Sequence, residues 1–205
     1  MTRKNVFKFA LSLAASFIFA ASSFAQTTQV SPTAPSKDFA NVKISNFGKM
    51  DDRFYRGAQP KKGQYQALKD LGIKTVIDLQ DDPTDYERSE VEALGMKYVN
   101  IPIVDKGYPT DENIAAFLKT VDAPETGVFY VHCAGGRHRT GDMGALYRFT
   151  KYGWNFDQAF KEMENYDFYT SHGHGKQKDF VVDYAGKIES QKATTVTVAA
   201  EPKLK

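Results

Sequence analysis

The sequence predicts an α/β domain in which a small, largely parallel central sheet carries helices on its faces. Three observations point there. Strand-like and helix-like stretches take turns from residue 64 to residue 133. The stretch GVFYVHC (127 to 133) is an apolar run suited to the middle of a sheet, where both faces are covered. After residue 140 the pattern is helical throughout.

The elements follow in order. QYQALKDLG (64 to 72) has helical spacing and stops at Gly72, a residue that readily takes the left-handed conformation closing a helix. KTVIDLQ (74 to 80) reads as a short strand. DYERSEVEALG (85 to 95) is again a helix closed by a glycine, and KYVNIPIV (97 to 104) a strand. In DENIAAFLKTV (111 to 121), Ile114, Phe117, Leu118 and Val121 share one helical face. Past the central strand come GDMGALYRFTKYG, NFDQAFKEMENY and KDFVVDYAGKIES, all helical, and no stretch repeats another.

The chain has 205 residues, enough for one domain with an ordinary core and flanking segments. Residues 1–25 read as a secretory signal peptide: Arg3, Lys4 and Lys8 precede an apolar run, and Ser23 and Ala25 supply the small residues of a cleavage site. The expected location is therefore the periplasm or the medium, with no stable membrane insertion once the signal is cut. Arg3, Lys4 and Lys8 leave with the signal and no acid does, so a formal charge of +2 becomes −1. No global basic field remains to argue for nucleic acid. Residues 26–40 are expected to be a flexible lead, 41–189 the domain, and 190–205 a flexible tail.

The chemistry concentrates in VHCAGGRHRTG (131 to 141). Cys133 is the only cysteine, so in an oxidising compartment it has no partner within the chain. It ends the central strand, and a helix starts near Thr140, a position where open α/β sheets bind ligands. Ala134, Gly135, Gly136, Arg137 and His138 form the connecting loop. Its glycines let backbone N–H groups point inward, and the helix adds unpaired N–H groups, so the loop is built to hold an anion. Arg139 can return its planar guanidinium to the same centre and grip two oxygens. That positive field also lowers the thiol pKa and makes Cys133 a nucleophile facing a bound phosphate. His132 reads as an orienting residue at the strand end, while Arg137 and His138 add positive charge to the rim.

HCAGGRHRTG resembles the signature of the cysteine-dependent protein tyrosine phosphatase superfamily, carried here by His132, Cys133, Arg139 and Thr140. With FYRGAQP, KTVIDLQ and NIPIVD it is similar to the dual-specificity branch, in particular to bacterial members and the atypical plant and fungal ones, over roughly residues 50 to 170. The resemblance implies a tyrosine-phosphatase-like fold with the phosphate loop between a central strand and a helix. It implies a phosphocysteine intermediate without metal or other cofactor, and a Thr140 hydroxyl that serves the thiolate. The expected substrate is a phosphorylated protein, with inositol polyphosphate or pyrophosphate as the alternative.

A leaving alkoxide or phenolate needs a proton, and the family draws it from an aspartate on a loop upstream of the cysteine. Asp105, just past the strand VNIPIV, is favoured over Asp111, which sits at a helix start where capping explains an acid. Asp81 and Asp82, after the preceding strand, rank lower. A sulfurtransferase and a non-catalytic phosphate-binding module are the readings from other classes, and the Arg139-Thr140-Gly141 spacing favours the phosphatase over the first. His172 and His174 have no third partner that would make a metal set.

Overall fold

The computed structural model describes residues 30–36 and 38–200, with side chains as far as Thr194; the expected signal peptide lies outside the described residues. Five strands, β1 (Gly48–Lys49), β2 (Phe54–Ala58), β3 (Thr75–Gln80), β4 (Lys97–Ile103) and β5 (Phe129–Cys133), form one sheet in the order β1-β2-β5-β3-β4. Only the β1–β2 pair is antiparallel. The helices are α1 (Tyr65–Asp70), α2 (Glu87–Ala93), α3 (Asp111–Asp122), α4 (Arg139–Tyr147), α5 (Phe156–Asn165) and α6 (Gly175–Ala200). The sheet is thus mostly parallel and helix-flanked, as the alternating pattern implies.

β5 lies between β2 and β3, and all five of its residues are buried. Side chains alternate across a strand, and β5 divides accordingly. Phe129, Val131 and Cys133 join the core built with α3, α4, α5 and α6, whereas Tyr130 joins the core of α1 and α2. Each fully buried large apolar side chain such as Phe129 contributes about 1.5–3 kcal/mol. β4 is an edge strand, which is why it tolerates Pro102.

Three features depart from the sequence reading. β1 and β2 were not anticipated, because FYRGA holds an arginine and a glycine in its middle, although all five residues are buried. Arg56 is accommodated there by donating to the Gly136 carbonyl at 3.0 Å and lying 4.0 Å from the centre of the Tyr166 ring. Second, the lead expected to be flexible is tied down where it is described. Thr33 donates from its N–H and its hydroxyl to Glu162, Asn165 donates to the Thr33 carbonyl, and the Ser36 N–H donates to Phe47. Glu162 is itself buried and takes two hydrogen bonds from Arg148, at 3.0 and 2.8 Å. Third, where a flexible tail from residue 190 was expected, α6 continues to Ala200. Among the described residues, no helix is long and apolar enough to cross a membrane.

Candidate active site

The loop from Ala134 to His138 connects the C-terminal end of β5 to the N-terminus of α4, so Cys133 and the first N–H groups of a helix face one space. Its carbonyls are drawn outward from behind. Arg56 and Asn46 both donate to Gly136 O at 3.0 Å, and the Gln59 N–H donates to Ala134 O at 3.3 Å. With the carbonyls held there, N–H groups are left to turn inward. Gly136 has φ +66°, and a Cβ on it would fall on the backbone of Gly57 and Ala58. Gly135 meets only the flexible Arg137 side chain, so it is Gly136 that the loop cannot replace. Gly136→Ala should destabilise the protein by about 1–3 kcal/mol and remove orthovanadate binding, as urea denaturation and calorimetry would show; unaltered vanadate affinity would refute this account of the loop.

Cys133 is almost fully buried. Burial pushes its thiol up, but hydrogen bonds from the Thr140 hydroxyl and N–H, the charge of Arg139 and the Gly136 N–H outweigh it, and the net direction is down. The Thr140 hydroxyl is buried and engaged with no other protein group, which leaves it free to serve the sulfur. One turn into α4, the buried Asp142 carboxyl is raised well above the usual range, by burial and then by the negative charge on Cys133. The shift disfavours a second anion beside the thiolate.

Arg139 is 5% exposed in its side chain. Both protons of Nη1 are taken by the protein: Asp81 Oδ1 accepts at 2.7 Å and the Ile103 carbonyl at 3.1 Å. Nε and Nη2 are left as a fork for a bound oxyanion. Asp105, on the turn after β4, has its carboxylate 3.9 Å from Arg139 Nη2 and 55% exposed. Asp111 instead opens α3, whose Thr110 and Asn113 make reciprocal capping hydrogen bonds. The fold thus brings Cys133, Arg139, Thr140 and Asp105 together and leaves Asp111 at a helix start.

The rim differs from the expectation. His138 is buried, stacks on His174 with ring centroids 3.5 Å apart, and has Nε2 3.0 Å from the Tyr169 carbonyl. Burial, then the neighbouring His174, lowers its pKa to about 4. His138 is therefore neutral at physiological pH and adds no charge to the rim. Arg137 lies 3.8 Å from Asp167. His174 is committed to Gln177 at 2.7 Å, and His172 to Ser171. His132 faces away from Cys133 with Nε2 2.8 Å from Glu87, and Asp78 completes this fully buried group. Arg56, Asn46 and Asp142 are site residues that the sequence reading does not reach, and Asp81, weighed there only as a low-ranked acid, is a partner of Arg139 instead. Their roles depend on contacts between strands and loops far apart in sequence, and only the FYRGAQP motif hinted at one of them.

A family model described as a DSP-PTPase phosphatase fused to NAD+ kinase matches residues 21–183. A probable tyrosine-protein phosphatase of Dictyostelium discoideum is 28% identical over 127 residues, which are 59% of this chain and 75% of that protein. The dual specificity protein phosphatase TpbA of Pseudomonas aeruginosa is 28% identical over 139 residues, 67% of this chain and 62% of TpbA. Among solved structures, that of P. aeruginosa TpbA aligns with TM-score 0.63 at 24% identity, covering 79% of this chain and 97% of that one. The core catalytic domain of a PP-IP phosphatase from S. cerevisiae aligns with TM-score 0.60 at 19% identity, covering 82% and 96%.

Proposed function

The chain belongs to the DSP-PTPase family and is a cysteine-dependent phosphatase of the dual-specificity branch, and from that membership we propose a phosphoprotein substrate and a phosphocysteine intermediate. The observation that carries the reading is the buried, lowered thiol of Cys133 inside a loop whose arginine offers a free fork.

In the first step the Cys133 thiolate attacks phosphorus and the bond to the leaving oxygen breaks, with Asp105 giving that oxygen its proton. The loop N–H groups and Arg139 hold the three equatorial oxygens while their charge spreads. In the second step water attacks the phosphocysteine, the Asp105 carboxylate takes the water's proton, and sulfur departs as a thiolate stabilised by Thr140. Water then carries phosphate out and the site is restored.

Phosphotyrosine, phosphoserine and phosphothreonine proteins fit better than a polyphosphorylated inositol. The neutral His138 and the pairing of Arg137 with Asp167 reduce the two charges that the sequence places on the rim for extra phosphates. The inositol pyrophosphate alternative draws on the likeness to the yeast PP-IP phosphatase. The leader with Arg3, Lys4 and Lys8 supports action in the periplasm or outside the cell.

The test is turnover of phosphotyrosine and phosphoserine peptides against inositol polyphosphates and pyrophosphates, in the wild type and in Asp105→Asn. Peptide turnover is expected to exceed that of the inositol phosphates, and the reverse order would transfer the function to the alternative. In Asp105→Asn, phenyl phosphate hydrolysis should fall about 100-fold or more, since phenolate needs the proton. Hydrolysis of an ester with a strongly acidic phenol should fall less than about tenfold. Equal losses on both esters would remove Asp105 from the acid role, and a leaving-group-dependent loss in Asp111→Asn would transfer it there.

A further inference from the structure

Asp81 stands between the two halves of the site and takes no part in either step of the phosphoryl transfer. Its Oδ1 accepts from Arg139 Nη1 at 2.7 Å, and its Oδ2 accepts from the backbone N–H of Asp105 at 3.2 Å. One carboxylate therefore spans the guanidinium that holds the phosphoryl group and the first residue of the turn that carries the acid. Apart from the long 3.9 Å approach of the Asp105 carboxylate to Arg139 Nη2, the turn has few other ties near Asp105: Gly107 N–H donates to the Val104 carbonyl within it, Lys106 sits at φ +58°, and Val104 is exposed. Beyond it, Tyr108 donates to Asp183 of α6 at 3.1 Å. A turn tied so sparsely samples many positions unless something at its base holds it.

We propose that Asp81 is a positioning residue for acid catalysis, a carboxylate that ties the Asp105 turn to Arg139 so that the acid stands over the phosphoryl group the arginine binds. The inference rests on the phosphatase reading. Asp81 touches neither substrate nor sulfur, and it acts through its two partners. Its negative charge, drawing on Arg139, opposes binding of an anion, and the Ile103 carbonyl holds the guanidinium from the same side. The arrangement therefore gives up oxyanion affinity in exchange for a well-placed acid.

These two effects have opposite signs, which a general loosening of the fold would not produce. In Asp81→Asn the amide oxygen can accept from Arg139 or from the Asp105 N–H, and the repelling charge is gone. Orthovanadate, measured by calorimetry on the full chain, should bind about threefold tighter, as expected for losing one partly screened charge. Turnover of phenyl phosphate at saturation should fall about tenfold, while that of an ester with an acidic phenol should stay within about twofold. In the Asp105→Asn background, Asp81→Asn should add almost no further loss on phenyl phosphate, because the acid it places is already absent. Asp82→Asn, an exposed neighbour, serves as the control with wild-type behaviour.

Equal losses on both esters in Asp81→Asn, weaker vanadate binding, or an undiminished loss in the Asp105→Asn background would each overturn the proposal. Wild-type turnover of all substrates by the variant would do so too. A wild-type chain inactive on both esters would overturn the phosphatase reading instead. Vanadate would still test the Asp81–Arg139 link, with tighter binding by the variant supporting it and unchanged binding refuting it.

Discussion

Cys133→Ser is expected to reduce turnover of every phosphate monoester by about four orders of magnitude or more, on good and poor leaving groups alike. A serine hydroxyl has no appreciable anion at neutral pH, whereas the thiol is lowered by Thr140, Arg139 and Gly136 against the opposing effect of burial. Binding should survive, because the loop N–H groups and the Arg139 fork do not depend on sulfur. Phosphotyrosine peptide should still bind the variant in calorimetry. In the wild type, alkylation by iodoacetamide should reach half its maximal rate at a pH below the ordinary thiol range, since the lowered thiol is already ionised there. Thr140→Val removes the hydroxyl and should move that midpoint upward. Turnover by Cys133→Ser within about a hundredfold of wild type, or a midpoint at the value of a free thiol, would refute the thiolate mechanism.

The parts of the fold legible in the sequence are those whose residues speak locally. β5 announces itself through five consecutive residues that are all buried, and α3 through Ile114, Phe117, Leu118 and Val121 on one face. β2 is silent because a strand beside β5 can bury an arginine when a carbonyl and an aromatic ring wait for it, and neither Gly136 nor Tyr166 is near in sequence. The same division runs through the site. Cys133, Arg139 and Thr140 lie within eight residues, and their spacing carries the chemistry by itself. His138 lies in that run as well, yet its lowered pKa is not legible there, because burial, and after it the neighbouring His174, lowers it, and Phe168, Tyr169 and His174 around the ring come from far along the chain. Asp81 ranked low as an acid for a sound reason, since it follows the earlier strand. Its link to Arg139 and Asp105 exists only once β3 and β4 lie side by side.

Arg139→Lys should lower kcat/KM by about 10³-fold, although the charge is kept. Nη1 donates to Asp81 and to the Ile103 carbonyl in this site, which leaves the Nε–Nη2 edge for two oxygens of a bound phosphoryl group. A lysine ammonium has three protons on one atom and no planar edge. If it reaches Asp81 at the 5% exposed position, it cannot also span two phosphoryl oxygens; if it turns to the oxyanion, Asp81 loses its partner. The loss should therefore appear in vanadate affinity as well as in turnover, unlike the loss in Cys133→Ser. It should also be nearly the same for acidic and non-acidic leaving groups, because the equatorial oxygens are held in both cases. Activity within about tenfold of wild type would mean that charge alone suffices at this position. The fork, and with it the reading of the loop as a cradle for a phosphoryl group, would then have to be given up.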